Sequence, residues 1–280
     1  MKYSAGVLRN AEQVPMENAI VSVIVPTYNS AKTLEECLSS ITNQDYRHIE
    51  LVVVDRYSKD GTRRIASKHG ANILLKGPER SFQKNHGAQN AAGEFLYFVD
   101  SDFVLERDTI TKCVIACRDL DAIVTINYSV GRGLWGKSIA LKERFLAHDP
   151  TIQNVRFIRR TVFLEAGGFD GSLVIGEDLD LYARLLELRY RVGSADAIEW
   201  HIGEPETLKE IVKRNFYYGK VVRAYFAKRK KYAWRQLSPF KISLFGSLVK
   251  TGSPYLPGLA VVDIIRWTSS LLGLICSRLQ

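Results

Sequence analysis

Neither of the usual glycine cradles for phosphate follows the first apolar strand of this chain. No GxGxxG and no GxxxxGK followed by Ser or Thr follows any of its first four apolar runs, so the opening strand-to-helix turn is neither a dinucleotide fingerprint nor a P-loop; both spacings are matched only by the late stretch GRGLWGKS (131–138). Phosphate at that strand end would be handled by other groups. Cysteine is scarce: Cys37, Cys113, Cys117 and Cys276 form no CxxC pair and no regular framework, so neither a disulfide scaffold nor a zinc site is expected and a reduced, cytoplasmic setting fits. Cys113 and Cys117 stand four apart in a helical stretch, a spacing that suits packing. The opening residues, MKYSAGVLRNAEQVPMENAI, lack the apolar core of a signal peptide, and 1–20 read as a short N-terminal extension. No internal repeat and no low-complexity segment is found.

With 280 residues, 46% of them hydrophobic, the chain can bury one large α/β core or two modest ones, and its composition is far from that of a disordered protein. Its charge of +9 is uneven. From Pro205 onward there are 14 Lys and Arg against three Asp and Glu, a net +11 that leaves −2 for the first 204 residues. Such a tail suits an anionic partner (a membrane surface, nucleic acid or a phosphorylated substrate), although a solvated face explains part of it.

Five short β-branched or aromatic runs read as strands: VSVIV (21–25), IELVVV (49–54), NILL (72–75), FLYFV (95–99) and AIVTI (122–126). Helix-length polar segments start near Lys32, Thr62, Phe82 and Thr109. The alternation predicts an α/β fold with a mostly parallel central sheet flanked by helices. The first, second and fourth runs end in PTYNS, DRYSKDG and DSD, so polar groups gather at the carboxyl edge, where open α/β sheets bind ligands. Asp100 and Asp102 flank Ser101; on extended backbone they point the same way and could address one hard divalent ion, or they could simply end a strand ahead of the helix near Thr109. GRGLWG (131–136) reads as flexible, followed by a basic helix near Ser138–His148. Later, Leu181, Leu185 and Leu188 are expected to share the buried face of a helix whose first turn carries Asp178. That acid could be a base or could merely complement the helix dipole.

Taken together, VSVIVPTYNS, LVVVDRYSKDGT, FQKNHGAQNAAGEFLYFVDSD and GGFDGSLVIGEDLDLYARL resemble, in order and spacing, the motifs of family 2 glycosyltransferases with the GT-A fold, over roughly Val21–Gly203. The resemblance implies a nucleoside-diphosphate sugar donor and a Mn2+ or Mg2+ ion. Pro26, Thr27 and Tyr28 then line the base pocket and Asp55 contacts the base. Lys84 and Asn85 match the arginine and asparagine of the family's ARN, and Asp100 and Asp102 match its diphosphate and metal motif. Asp178 matches the catalytic base of inverting transfer, with Glu177 a capping or supporting acid and Asp180, expected on an exposed side, structural. His201 matches the late histidine that joins the metal set. Arg56 stands where the family has a second aspartate, and Lys84 where it has arginine.

The division expected is 1–20 extension, 21–204 GT-A catalytic domain and 205–280 helical C-terminal region. In LKEIVKRNFYYGKVVRAYF, Leu208, Ile211, Val212, Val222, Tyr225 and Phe226 fall on one helical face, and KRKKYAWRQ follows. Basic residues interleaved with Tyr232 and Trp234 fit an interfacial helix on an anionic membrane, peripheral on its cytoplasmic face; nucleic acid, which uses the same residue types, is not the expected partner, and a helical layer packed on the catalytic domain is the plain alternative. The apolar run 256–276 contains Asp263 and Arg266, each costing roughly 2.5–3.5 kcal/mol at a bilayer centre, which argues against a true span. The tail lacks the QxxRW of processive synthases, and VDSDFVLE departs from the DADLQHP of dolichyl-phosphate sugar synthases. The acid pair at 177–178 fits a hydroxyl acceptor on a lipid-linked or surface glycan; transfer to a polyprenyl phosphate and a non-catalytic sugar-nucleotide or nucleic-acid binding protein are the alternatives.

Overall fold

A computed structural model describes residues 18–149, 154–230, 233 and 242–277. Four parallel strands form one half of an eight-stranded sheet: β1 (Val21–Thr27) lies between β2 (Ile49–Asp55) and β4 (Phe95–Phe98), and β3 (Asn72–Leu75) pairs with β2. All seven residues of β1 are buried, as expected of a parallel strand covered on both faces. Helices α1 (Leu34–Thr42), α2 (Thr62–Lys68), α3 (Arg80–Asn90) and α4 (Thr109–Ala116) fill the connections. Because β1 has β2 on one side and β4 on the other, the loops after these strands diverge and leave a crevice at their carboxyl ends.

The other half is mixed. β5 (Phe103–Leu105), β6 (Ala122–Ser129), β7 (Val155–Arg159) and β8 (Val192–His201) complete the order β3-β2-β1-β4-β7-β6-β8-β5, with β7 antiparallel to both β4 and β6, and β5 antiparallel to β8. GRGLWG is not the flexible link its glycines predict. α5 (Gly133–Leu146) begins inside it, and a Cβ on Gly131 would sit 1.8 Å from the Gly136 carbonyl oxygen, so glycine here permits backbone packing. α6 (Arg160–Glu165) precedes α7 (Glu177–Glu187). One apolar core holds Val23, Phe95, Tyr97, Ile110 and Phe157 beneath α1 and α4; a second holds Ile24, Leu96, Phe163, Leu181 and Leu185 beneath α3, α6 and α7. Cys113 and Cys117 are buried in the first core. Leu188, expected beside Leu181 and Leu185, is 53% exposed because α7 ends at Glu187 and the chain turns through Arg189 at φ 61°.

The basic tail folds back as helices. α8 (Leu208–Lys228) starts with a capping box between Thr207 and Glu210, α9 spans Ile242–Lys250, and α10 spans Leu256–Cys276. α8 and α10 touch backbone to backbone: a Cβ on Gly219 would lie 2.0 Å from the Ser270 carbonyl oxygen, and one on Gly273 2.1 Å from that of Phe216. Ile139 of α5, Ile211 of α8 and Val262 of α10 close a core between the three. Phe226, expected toward lipid, packs instead on the cluster of Leu173, Leu179, Tyr225 and Ala233. Tyr232 and Trp234 lie outside the described residues.

Candidate active site

The three loops at the carboxyl edge are tied together from inside. Asp55 at the end of β2 is fully buried and accepts hydrogen bonds from Thr27 Oγ1 at 2.9 Å and from the backbone and hydroxyl of Ser58. Pro26 and Thr27 are buried in β1. Gln83, which sequence reasoning missed, donates from Nε2 to the Thr27 and Val54 carbonyls and so locks α3 to both strand ends. Of the residues predicted to line the base pocket, only Tyr28 shows its ring: it is 56% exposed, with the Arg56 guanidinium 4.9 Å from its centroid. Arg56 also lies 3.9 Å from Glu79.

Asn85 does not face the crevice with a free amide. Its Nδ2 donates to the Phe169 carbonyl at 2.7 Å and its Oδ1 accepts from the Phe169 backbone at 2.9 Å, an amide clamp on the loop that leads to α7. Gly168 makes the clamp possible. Its φ is +67°, and a Cβ there would meet Asn85 Oδ1 at 2.8 Å.

Lys84 and Asp178 meet. Lys84 Nζ, on a side chain 1% exposed, lies 3.4 Å from Asp178 Oδ1, 3.5 Å from Glu177 Oε1 and 3.6 Å from Asp100 Oδ1. Burial alone would favour a neutral amine, but the three carboxylates outweigh it and keep the ammonium charged. Burial, then the charge of Asp178 beside it, raises the Glu177 carboxyl above the ordinary range, with Arg80 Nη2 at 3.7 Å as partial compensation. Asp178 is at the second position of α7, where the helix N-terminus favours an anion, and Gly176 at φ 76° turns the chain into the helix beneath the Tyr225 ring. Asp180 is not on an exposed side. It is fully buried and structural, taking Arg184, Lys228 and Arg229 at 2.8–3.0 Å.

Asp100 and Asp102 do not point to one place. Asp100 turns inward to Lys84 and to Arg156, both of whose terminal nitrogens lie 3.3 Å from Oδ2; burial would raise this carboxyl, but Lys84, Arg156 and Arg80 hold it far below the usual range. Asp102 turns to His201, with Oδ2 and Nε2 3.1 Å apart. Among the described residues, no three His, Cys, Asp or Glu side chains gather as a metal cluster, so the predicted trio divides into a pair, Asp102 and His201, and a separate Asp100. The pair still offers one carboxylate oxygen and one imidazole nitrogen. Asp100 Oδ1 is buried and accepts no hydrogen bond. This is a donor set that suits Mn2+ or Mg2+ with positions left for phosphate oxygens.

Arg156 was not foreseen. It is 5% exposed in β7, with its guanidinium 4.3 Å from the Phe103 ring centroid and 3.3 Å from Glu199. The signal was a lone cation inside VRFI, which a strand buried on both faces can hold only with an ion partner. Glu204, three residues past His201, also escaped notice.

Residues 22–171 match the family model of glycosyl transferase family 2. Glycosyltransferase AglE of Haloferax volcanii is 27% identical over 220 residues, 71% of this chain and 72% of that one. A GalNAc(5)-diNAcBac-PP-undecaprenol beta-1,3-glucosyltransferase of Campylobacter jejuni is 38% identical over 92 residues, only 29% of each chain. In fold, the chain is similar to mannosyltransferase PcManGT from Pyrobaculum calidifontis, solved in complex with GDP-Man and Mn2+: the TM-score is 0.60 at 21% identity, covering 94% of this chain and 86% of that one.

Proposed function

Because this chain belongs to glycosyl transferase family 2, we propose that it is an inverting, metal-dependent enzyme that moves a sugar from a nucleoside diphosphate to an acceptor hydroxyl. The observation that carries this reading is the buried Lys84 ammonium, which ties Asp178 to Asp100 of the DSD loop and so joins a base to a donor-side carboxylate.

In this mechanism the acceptor oxygen attacks the anomeric carbon from the face opposite the diphosphate. Asp178 takes the hydroxyl proton as the new C–O bond forms, and the bond to the leaving diphosphate breaks with its electrons. Glu177, beside Asp178, is engaged by Lys84 and Arg80, which offset its charge. Tyr28, backed by Arg56, offers an exposed ring on which a nucleobase can stack, while Asp55 and Gln83 keep that loop in shape from below. Asp102 and His201 would hold Mn2+ or Mg2+, and the ion when bound would supply positive charge to the diphosphate.

The acceptor we infer is a lipid-linked or surface glycan. Two features support it: the basic helical tail beside the site, and the polyprenol-linked acceptor in the name of the Campylobacter relative. On this reading the protein works peripherally at the cytoplasmic face of a membrane. Hydrolysis and transfer assays with UDP-, GDP- and dTDP-sugars, each with and without Mn2+, test the proposal. Release of nucleoside diphosphate from one donor, abolished by chelation and by Asp102→Asn, is expected; no turnover of any donor with metal present would overturn it.

A further inference from the structure

His201 is held from both sides. Its Nε2 faces Asp102 at 3.1 Å and its Nδ1 faces Glu204 Oε1 at 2.9 Å, while the ring lies flat on Phe103 with centroids 4.8 Å apart. Glu204 is itself 8% exposed and fully engaged. Oε1 accepts from Ser129 Oγ at 2.7 Å, and Oε2 takes Arg214 Nη2 at 3.2 Å. These contacts come from three separate elements: Ser129 ends β6, His201 ends β8, and Arg214 lies in the second turn of α8. The strands bring Ser129 opposite His201 in register. Space is tight on the Asp102 side as well, since a Cβ on Gly203 would lie 2.2 Å from Asp102 Oδ2.

A buried carboxylate earns no stability by itself unless its partners are well placed. Here Ser129, His201 and Arg214 converge on it, and together they set the tilt of one imidazole. We propose that Glu204 is a positioning residue of the metal site: it receives Nδ1–H, leaves Nε2 as the ligating nitrogen beside Asp102, and is braced by Arg214, so that the C-terminal helical layer forms part of the site. The inference rests on the metal-dependent reading above. Its general basis is that a ligating histidine oriented by a carboxylate loses about 10–100-fold in metal affinity when that carboxylate is removed.

Braced this way, α8 is more than a lid on the catalytic domain. Near its start Arg214 reaches Glu204, the carboxylate that faces His201, and at its end Lys228 and Arg229 reach Asp180 of the helix that carries Asp178. One helix thus contacts the supports of both halves of the site.

The test measures Mn2+ binding directly, by the electron paramagnetic resonance signal of free Mn2+ titrated into the full chain with UDP or GDP present, alongside thermal unfolding of each variant. Glu204→Ala is expected to raise the apparent Kd about 10–100-fold. Glu204→Gln, whose amide oxygen can still accept from Nδ1–H, should recover most of that loss, and Arg214→Ala should fall between wild type and Glu204→Ala. Glu204→Ala or Glu204→Gln binding Mn2+ with wild-type affinity in the first case, or no better than alanine in the second, would overturn the positioning role while leaving the metal reading intact. Wild type that binds no Mn2+ with either nucleotide would overturn both. If Glu204→Ala fails to fold, Arg214→Ala decides: wild-type affinity in that variant refutes the role of the brace.

Discussion

Lys84 Nζ lies 3.4 Å from Asp178 Oδ1 at one side and 3.6 Å from Asp100 Oδ1 at the other, on a side chain almost closed to solvent. One ammonium therefore neutralises part of the charge on both the proposed base and a donor-side acid. Removing it leaves three carboxylates, Asp100, Glu177 and Asp178, crowded in a poorly hydrated space with Arg80 and Arg156 as the remaining cations. Lys84→Met should lower stability by about 3–5 kcal/mol, the usual effect of breaking a buried ion pair by removing one partner. Lys84→Arg, which restores the cation, should recover most of it. Urea unfolding of the three proteins checks this; a Lys84→Met variant as stable as wild type would show that the carboxylates repel each other little.

Asp178→Asn should cut turnover about 100-fold or more while leaving donor affinity within a few-fold, because an amide cannot take the acceptor proton yet keeps the shape of the site. Glu177→Gln should be far milder. The Glu177 side chain is 3% exposed against 17% for Asp178, and its Oε1 sits with Lys84 and Arg80. Separate measurement of kcat and donor KM distinguishes the two. If Glu177→Gln is the more damaged enzyme, the base has been misassigned.

The parallel half of the sheet was legible because β1 to β4 are continuous apolar runs with polar residues at their ends, and NILL proved a strand at its predicted bounds. β5 and β7 were not legible as elements of the sheet. FVL and VRFIR are short, and their pairing with β8 and with β4 and β6 is decided by neighbours distant in sequence. Motif order singled out Asp178, Asp102 and His201 but said nothing of what each touches. Asp100 and Asp102 alternate along the chain, and simple alternation predicts a shared direction. The opposing pulls of Arg156 and His201, from strands that pattern alone cannot place, separate them. Asp180 was misjudged for a related reason: helical geometry sets the side on which it stands, and only the folding back of α8 covers that side with Lys228 and Arg229.

The seam between α8 and the catalytic domain should weaken in acid. The hydrogen bond from Lys228 Nζ, 2.6 Å away, is the first cause that lowers the Asp170 carboxyl to about 2, against about 3.9 for an unperturbed aspartate. A depressed acid pKa means that the folded state gains stability above the unfolded value and loses it as pH falls toward the folded one. Between pH about 4 and 2 the wild type should therefore lose melting temperature faster than Asp170→Asn, and the two should keep a constant difference above pH about 5. Parallel melting curves across that acid range would remove Asp170 from the account.

Lipid contact, if it occurs, should run through the outer face of α10. Val261, Ile264, Trp267, Leu271, Leu272 and Ile275 are exposed along it, and the helix is long and apolar enough by composition to cross a membrane. Its two charged residues point the other way. Asp263 takes Lys142 at 2.9 Å and Arg266 approaches Glu143 at 3.4 Å, so α5 occupies the side that a spanning helix would have to give to lipid. A helix fixed in this way would be expected to lie on a bilayer rather than through it. Basic residues of the tail would add about 1 kcal/mol each near an anionic surface, a part that salt removes, while the apolar stripe supplies a part that salt leaves in place. Flotation with anionic vesicles should therefore fall partially, not wholly, as salt rises. The double variant Ile264→Asp and Leu271→Asp should lose the salt-resistant fraction and keep its thermal stability, since both side chains face solvent. A double variant that floats like wild type at high salt would mean that α10 is covered by something other than lipid.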